Sequence, residues 1–365
     1  MDRKIGILVL ILVAFLADVI SGSSTGLASG IKLSFNAPAI SAFWVSDGEL
    51  IGVREAGKYR ISVVDINGKT VWRMEEQKGQ SYLTDQLQLI WGDTLLALSP
   101  ENGNKVWEKQ ISGENFSIVP GTRDGFFAVS STNRSQNVTE IKVFSKAGEP
   151  VWQYINSDEY FQPIRVILDG KAIVGMTIDP PKLETKIQII DFPGVQRTIR
   201  VLKDDAPLLS GEAVPIVITN EATKQILVAV PSTPWWVIVS ASGDIVANEQ
   251  NSPVRNPIIA PLGSGFAFAS EAGDKVVFVS EKGKLMWSKN IVGPIWGLTG
   301  NSSHLAIITG NMGRQGKILL YNTVGKMEDS IAVSNTPTQI QIAKSRPLVI
   351  GVLDYARVFL YDFSR

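Results

Sequence analysis

The chain has 365 residues, of which 44% are hydrophobic and 19% are charged. Basic and acidic residues balance at 35 each without a block of like charge, which argues against nucleic acid or an anionic bilayer as the main partner. With no cysteine and a single histidine, the sequence predicts no disulfide, no thiolate or multi-histidine metal site and no lipidated cysteine.

The first element in the chain is an apolar run from Ile5 to Ala17, directly after a charged start. A helix of about 13 residues spans about 20 Å, less than the roughly 30 Å hydrocarbon core of a bilayer. This length favours a signal peptide over residues 1–28, cleaved after Ala28. The alternative is an uncleaved anchor that tethers the protein to a membrane through residues 5–20. In both cases we expect the rest of the chain to be exported.

From residue 31 onward, one turn recurs about every 40 residues. Each copy has an apolar strand, a tight glycine turn and a second strand. Four copies carry tryptophan at a fixed offset: Trp72, Trp107, Trp152 and Trp287. Three copies lack it and turn at Gly194, Gly243 and Gly325. Short strands joined by glycine turns at such a period predict an all-β propeller, with the tryptophans as structural wedges between blades.

The two ends of the chain complete the last blade. Residues 358–363 match the first strand of the repeat, and residues 31–36 alternate apolar and polar as an outer strand does. Pairing these segments would close the ring and hide two sheet edges. We therefore predict an eight-bladed β-propeller over residues 29–365, forming a monomeric ring. Seven blades is the alternative, because the stretch between Trp72 and Trp107 leaves little room for an inner strand.

The segment ALSPENGNKVW, which ends at Trp107, fits a repeat of quinoprotein-type propellers, with Ser99 in the position of an aspartate. On this motif the chain resembles the PQQ-like (quinoprotein dehydrogenase-like) eight-bladed propeller superfamily. That superfamily includes quinone-dependent dehydrogenases and a non-catalytic propeller that helps to assemble β-barrels in bacterial outer membranes, which is the nearest in type. The dehydrogenases use an adjacent cysteine pair and an acidic calcium cluster. Because neither is found at the matching places, we expect no cofactor and no dehydrogenase activity.

Other catalytic chemistry has little support in the sequence. The only histidine, His304, lies at the start of a predicted strand, and no nucleophile elbow occurs. We predict no catalytic residue and no metal site. The alternative is an enzyme or small-ligand binder that holds a cofactor, calcium or a sugar in the central channel. Carboxylates that converge in the channel would favour this alternative, whereas an apolar channel with Gln339 and Gln341 would favour a scaffold.

Aromatic and charged residues that depart from the repeat indicate a binding face. The loops from outer to inner strands and those between second and third strands share one face of a propeller, where binding residues concentrate. We predict nine contact residues there: Arg54, Tyr160, Phe161, Asp179, Trp235, Arg255, Arg314, Asp354 and Tyr355. Trp235 is the strongest of these, because Trp236 follows it and at least one of two adjacent strand side chains should point away from the blade core unless a neighbouring loop covers it.

The sequence therefore predicts a non-catalytic, extracytoplasmic scaffold in the cell envelope, periplasmic or at the cell surface. Its predicted partner is an envelope protein or complex, recognised by the loops. A stalk-like module within a larger envelope complex is a further alternative, which an uncleaved N-terminal helix would support.

Overall fold

We describe the protein from a computed structural model. The described residues are 31–364 except 37–38, 56–59, 76–80, 84–87, 92–93, 112–115, 122–124, 134–137, 157–160, 180–181, 183, 204–213, 232, 250–253, 255–256, 312–313 and 356. They form eight four-stranded antiparallel sheets, which are the blades of a propeller. Within these residues, no helix has the length and apolar character needed to cross a membrane.

The strands follow the chain blade by blade. The first strand, β1 (Ile31–Asn36), belongs to blade 8. Blade 1 contains β2 (Ala39–Ser46), β3 (Leu50–Glu55), β4 (Arg60–Asp65) and β5 (Thr70–Glu75). Blade 2 contains β6 (Ser81–Leu83), β7 (Gln88–Trp91), β8 (Thr94–Leu98) and β9 (Lys105–Gln110). Blade 3 contains β10 (Phe116–Val119), β11 (Phe127–Asn133), β12 (Val138–Phe144) and β13 (Pro150–Asn156). Blade 4 contains β14 (Phe161–Ile167), β15 (Ala172–Asp179), β16 (Glu184–Asp191) and β17 (Val195–Lys203).

The second half of the chain continues the pattern. Blade 5 contains β18 (Ile216–Asn220), β19 (Gln225–Ala229), β20 (Trp236–Val239) and β21 (Ile245–Glu249). Blade 6 contains β22 (Pro257–Leu262), β23 (Gly265–Ser270), β24 (Lys275–Val279) and β25 (Leu285–Asn290). Blade 7 contains β26 (Ile295–Gly300), β27 (His304–Gly310), β28 (Gly316–Asn322) and β29 (Met327–Val333). Blade 8 contains β30 (Gln339–Ile342), β31 (Leu348–Leu353), β32 (Arg357–Asp362) and, as its outer strand, β1.

The predicted closure of the ring is confirmed. β1 pairs antiparallel with β32, and Ser34 lies opposite Phe359. Eight blades are confirmed, and the seven-bladed alternative is wrong. Blade 2 does have an inner strand, β6, although it is only three residues long. Blades 1 and 8 are also joined just after their inner strands, β2 and β30, where Asp47 accepts a hydrogen bond from the amide of Ser345 at 3.0 Å.

The hydrophobic core lies between neighbouring blades. The strand β31 is buried over all six of its residues, because blades cover both of its faces. The outer strand β9 instead alternates between exposed and half-buried positions. Each buried aliphatic side chain contributes about 1.5–3 kcal/mol. Burial between the blades therefore makes the ring a rigid support for its loops.

Each repeat tryptophan joins its own blade to the next one. Trp107 in β9 donates its Nε1 proton to the carbonyl oxygen of Lys146 at 3.0 Å, in the turn of blade 3. The same turn holds Gly148 at φ +78°, where a Cβ atom would lie only 2.8 Å from the Trp107 ring. Trp72 in blade 1 makes the corresponding contact to the turn of blade 2, and Trp287 in blade 6 makes it to the turn of blade 7. The glycine thus supplies both the positive φ and the space that the indole ring occupies.

Blades without the repeat tryptophan use other side chains at the same place. In blade 4, Arg197 donates to the carbonyl oxygen of Gly243 at 2.7 Å. In blade 5, Ala247 occupies the position that tryptophan has in the other blades. Trp236 from the adjacent strand instead reaches the turn of blade 6, where its ring lies 3.2 Å from the place that a Cβ atom on Gly283 would take. The contact between a blade and the next turn is therefore kept while the residue that makes it changes.

Candidate binding face

The two faces of the ring carry different loops. The loop face holds the connections from outer to inner strands and those between second and third strands. The turn face holds the connections between first and second strands and the glycine turns. Two of the predicted contact residues, Tyr160 and Arg255, lie outside the described residues. The described part of the loop face is most continuous in blades 7 and 8, at residues 334–338 and 354–355.

Two predicted contact residues are buried in the core. Phe161 is 1% exposed and packs edge-on against Tyr154, with ring centroids 6.3 Å apart. Trp235 is 2% exposed, and its Nε1 atom donates to Asn248 Oδ1 at 2.8 Å. The side chain of Arg200 covers its ring, with the guanidinium carbon 5.7 Å from the centroid.

The expectation that one tryptophan of the pair points away from the core is therefore wrong. Trp235 packs in the cluster shared by blades 4 and 5, and Trp236 packs in the cluster shared by blades 5 and 6. Adjacent strand residues do point in opposite directions, but a neighbouring blade covers each face. Substituting Trp235 would thus alter the core rather than a contact surface.

Three predicted residues lie together at the loop-face ends of blades 7 and 8. We call Arg314, Asp354 and Tyr355 the blade 7–8 patch. The outer-to-inner loop between them connects the group: the amide of Thr336 donates to the carbonyl oxygen of Arg314 at 3.0 Å. Its neighbour Asn335 donates through Nδ2 to Asp354 Oδ1 at 2.5 Å. Sequence reasoning missed Asn335 and Thr336, because nothing in the repeat indicates that this loop bridges two others.

The turn that carries Asp354 and Tyr355 has an unusual backbone. Their φ angles are 53° and 52°, in the left-handed region that non-glycine residues rarely occupy. Tyr355 is nevertheless 58% exposed, and its carbonyl oxygen accepts a hydrogen bond from the amide of Ala39 in blade 1 at 3.0 Å. Such residues cost about 1–3 kcal/mol each and occur preferentially at functional sites. The turn therefore holds an aromatic side chain at the surface in a fixed position.

The remaining predicted residues lie at other points of the face. Arg54 is half-buried near the end of β3, where its neighbour Glu55 pairs with Ala39. Asp179 lies at the end of β15, four blades away from blade 8, and accepts a hydrogen bond from Lys182 Nζ at 2.7 Å. This hydrogen bond, with the positive charge of Lys182, holds the pKa of Asp179 below its ordinary value.

The end of blade 1 also contains a buried carboxylate. Glu55 is 8% exposed and accepts a hydrogen bond from Ser62 Oγ at 2.8 Å. Arg60 Nη1 lies 3.4 Å from its second oxygen, and Arg73 Nε lies 3.8 Å from the first. A buried carboxylate needs hydrogen bonds and opposite charges to offset the loss of water. These three side chains supply them, which explains how Glu55 can be buried at this position.

The walls of the central channel are formed by the eight inner strands, whose bounds are given above. These strands contain no aspartate, glutamate, lysine or histidine, and their one charged residue is Arg165. Arg165 Nη1 donates to the carbonyl oxygen of Val217 at 2.6 Å. Gln341 in β30 accepts a hydrogen bond from the amide of Trp44 at 2.8 Å. Elsewhere in the described chain, no group of three or more histidine, cysteine, aspartate or glutamate side chains could hold a metal ion.

The single histidine lies away from the channel, on the turn face of blade 7. Its Nε2 atom is 3.2 Å from Glu328 Oε2, and that glutamate also accepts a hydrogen bond from Asn322 Nδ2 at 3.0 Å. The contact between His304 and Glu328 therefore links β27 to β29 across the intervening strand β28.

Comparison with known proteins agrees with this architecture. Residues 42–179 match the family model described as outer membrane protein assembly factor BamB. The resemblance to PQQ-like propellers is confirmed. No curated protein sequence matches the chain.

Solved propellers resemble the whole ring. BamB from Moraxella catarrhalis is 12% identical, with 92% of this chain and 100% of that chain covered and a TM-score of 0.53. The C-terminal WD40 domain of Sif2 is 10% identical, with 93% and 100% covered and a TM-score of 0.63. Sqt1 from Saccharomyces cerevisiae is also 10% identical, with 93% and 100% covered and a TM-score of 0.59. At these identities the likeness shows the fold, which hosts many functions.

Proposed function

We propose that the protein is a non-catalytic, extracytoplasmic scaffold that binds an envelope protein or complex through its loop face. The observation that carries this proposal is the blade 7–8 patch. It combines an exposed aromatic ring, a guanidinium group and a carboxylate on a rigid support. Tyrosine and arginine are enriched among the residues that contribute most to protein–protein affinity.

The backbone around the patch supports this role. Hydrogen bonds from Asn335, Thr336 and Ala39 hold the loops of three successive blades together. A preformed surface loses little conformational entropy when a partner binds. The channel walls, by contrast, do not offer the paired carboxylates that the channel-enzyme alternative would need.

Two observations support a place in the cell envelope. The matched family is described by its role in outer membrane protein assembly, and the apolar run from Ile5 to Ala17 is typical of exported proteins. β1 runs from the turn face to the loop face, since it is antiparallel to β32. A tether through residues 5–20 would therefore join the ring at the turn face and leave the loop face accessible to a partner.

The test is affinity capture from envelope membranes with the full chain as bait. We expect an envelope partner in near-stoichiometric amount with the native protein, and at least about tenfold less with Arg314→Ala combined with Tyr355→Ala. The matched control is Val324→Ala, at a residue that is 74% exposed on the opposite face. Mass spectrometry of the bait also shows whether cleavage follows Ala28.

Two outcomes would overturn the proposal. One is recovery of the propeller alone under several solubilisation conditions. The other is equal capture by the native protein and by the patch variant, provided that circular dichroism shows the variant to be folded.

A further inference from the structure

The central channel has one charged side chain in its walls, Arg165, which the function proposed above does not use. Each inner strand is paired with the second strand of its blade, and neighbouring blades cover its two faces. Inner-strand side chains that remain partly accessible therefore face the channel. Arg165 in β14 is one of these half-buried side chains. It lies apart from the blade 7–8 patch, so a ligand bound here would not depend on the loop face.

The guanidinium group of Arg165 lies along the channel wall between blades 4 and 5. Its Nη1 atom donates to the carbonyl oxygen of Val217 at 2.6 Å, and Val217 belongs to the inner strand β18 of blade 5. β18 pairs only with β19, so its other edge borders the channel. A side chain that crosses from β14 to this backbone runs along the wall, because both strands are the innermost elements of their blades.

The positive charge of Arg165 has no counter-charge within the part of the chain that the structure describes. Its one hydrogen bond there is the bond to a backbone carbonyl oxygen. Other half-buried arginines do have a carboxylate: Arg60 Nη1 lies 3.4 Å from Glu55 Oε2, and Arg197 Nε lies 2.7 Å from Asp191 Oδ2. Removing a charge from water is costly unless an opposite charge compensates for it. An anion in the channel would supply that compensation.

The free donors of the guanidinium group have the geometry that a carboxylate needs. Of the five N–H groups of an arginine, the one on Nε is buried here and one on Nη1 is bonded to Val217. Nη2 has no protein partner and is not buried. Nη1 and Nη2 can therefore each direct one N–H group at the same ligand, side by side. A carboxylate accepts such a pair of parallel hydrogen bonds, which leaves the bond to Val217 intact.

The wall beside the guanidinium group is apolar. Ile164 precedes Arg165 in β14, and Ile216 and Ile218 flank Val217 in β18. All three isoleucines are half-buried, so each keeps part of its surface at the channel. The positive charge disfavours a cation such as calcium, and the isoleucines would leave the hydroxyl groups of a sugar without partners. A ligand with one carboxylate and an apolar chain matches both the charge and the wall.

We propose that the central channel binds a monocarboxylate with an apolar chain, anchored by Arg165. The carboxylate accepts one hydrogen bond from Nη1 and one from Nη2, and the chain lies along the isoleucines of blades 4 and 5. Binding makes and breaks no covalent bond, which agrees with inner strands that contain no acidic residue.

The test is titration of the full-length protein with hexanoate, measured by calorimetry and by ligand-observed NMR. 1-Hexanol has the same chain without the charge, and acetate has the carboxylate without the long chain. We expect hexanoate to bind with a dissociation constant of about 1 mM or tighter. Each of the two comparison ligands should bind at least about tenfold more weakly, because it lacks one of the two recognised groups.

Two variants of Arg165 locate the site. Arg165→Met removes the charge and should weaken hexanoate binding at least about tenfold. Arg165→Lys keeps the charge and can still donate to Val217, but it lacks the planar pair of donors, so binding should weaken at least about threefold. Arg200→Met is the matched control, at a half-buried arginine that covers the ring of Trp235 outside the channel, and it should bind hexanoate like the native protein.

Circular dichroism and melting temperature show whether each variant is folded, and Arg165→Lys decides the outcome if Arg165→Met is not. Three results would overturn the proposal. One is no binding of hexanoate at about 10 mM, and another is equal binding of hexanoate and either comparison ligand. The third is unchanged hexanoate binding in folded variants of Arg165. None of these results would bear on capture of a partner by the loop face.

Discussion

Replacing Trp235 by alanine should destabilise the seam between blades 4 and 5. The side chain is 2% exposed and packs among aliphatic residues of both blades, so its removal leaves a cavity that the rigid sheets cannot fill. Buried tryptophan-to-alanine substitutions cost about 3–5 kcal/mol. The hydrogen bond to Asn248 adds less than about 1 kcal/mol, because the exposed Asn248 side chain can bind water instead. We therefore expect a loss of about 4 kcal/mol, and about 1–2 kcal/mol for Trp235→Phe, which keeps most of the apolar contact.

The assay is equilibrium unfolding in urea, followed by circular dichroism. We expect the free energy of unfolding to depend on urea concentration with the same slope in all variants, so that the urea midpoints report stability. The native protein, Trp235→Ala, Trp235→Phe and the surface control Val324→Ala are compared. The control should stay within about 0.5 kcal/mol of the native protein. If Trp235→Ala changed the free energy of unfolding by less than about 1 kcal/mol, the tryptophan would not be a core residue, and the reasoning from its burial would fail.

Two further substitutions test local features of the ring. Gly325→Ala should lower the free energy of unfolding by about 1–3 kcal/mol, because φ is +76° and the new methyl group would lie 2.9 Å from the Trp287 ring; an unchanged urea midpoint would contradict this. Lys344→Met tests a buried charge: burial lowers the pKa of Lys344 from 10.5 to about 8, although Asp47 opposes the shift. Below about pH 8 both the folded and the unfolded chain hold the proton, so the cost of burial is fully present; between about 8 and 10.5 only the unfolded chain holds it, so stability rises with pH. After solvent screening we expect this rise to be about 1–2 kcal/mol and to be absent in the variant, and parallel pH profiles of the two proteins would refute the assignment.

The strands and turns of this protein could be read from local patterns. Period-2 alternation and glycine turns act over fewer than about ten residues, so they appear in the sequence wherever the structure uses them. The split blade was predictable for the same reason, since residues 31–36 and 358–363 each have the pattern of a strand that lacks one partner. The family resemblance rested on one such local motif and is supported by the match over residues 42–179.

The candidate binding face could be predicted only in part. Arg314, Asp354 and Tyr355 are predicted contact residues because they interrupt the repeat, but the hydrogen bonds that connect their loops through Asn335 and Thr336 were not visible in the sequence. Loops contact each other according to how the blades are placed, and neither residue type nor spacing encodes that placement locally.

The contacts between neighbouring blades could not be predicted from local sequence patterns. Trp235 and Trp236 were expected to expose one ring, because a single strand has two faces; the ring buries both, because each blade has two neighbours. Gln341 accepts a hydrogen bond from the amide of Trp44, 297 residues away in the chain. The sequence by itself determined the repeat and the strand pattern, since these depend on short-range geometry, and it favoured eight blades over seven; the short inner strand β6 of blade 2 settled that number. Only the tertiary structure decided which side chains are buried, which loops join and which side chains face the channel, because these follow from packing between blades that are separate in the chain.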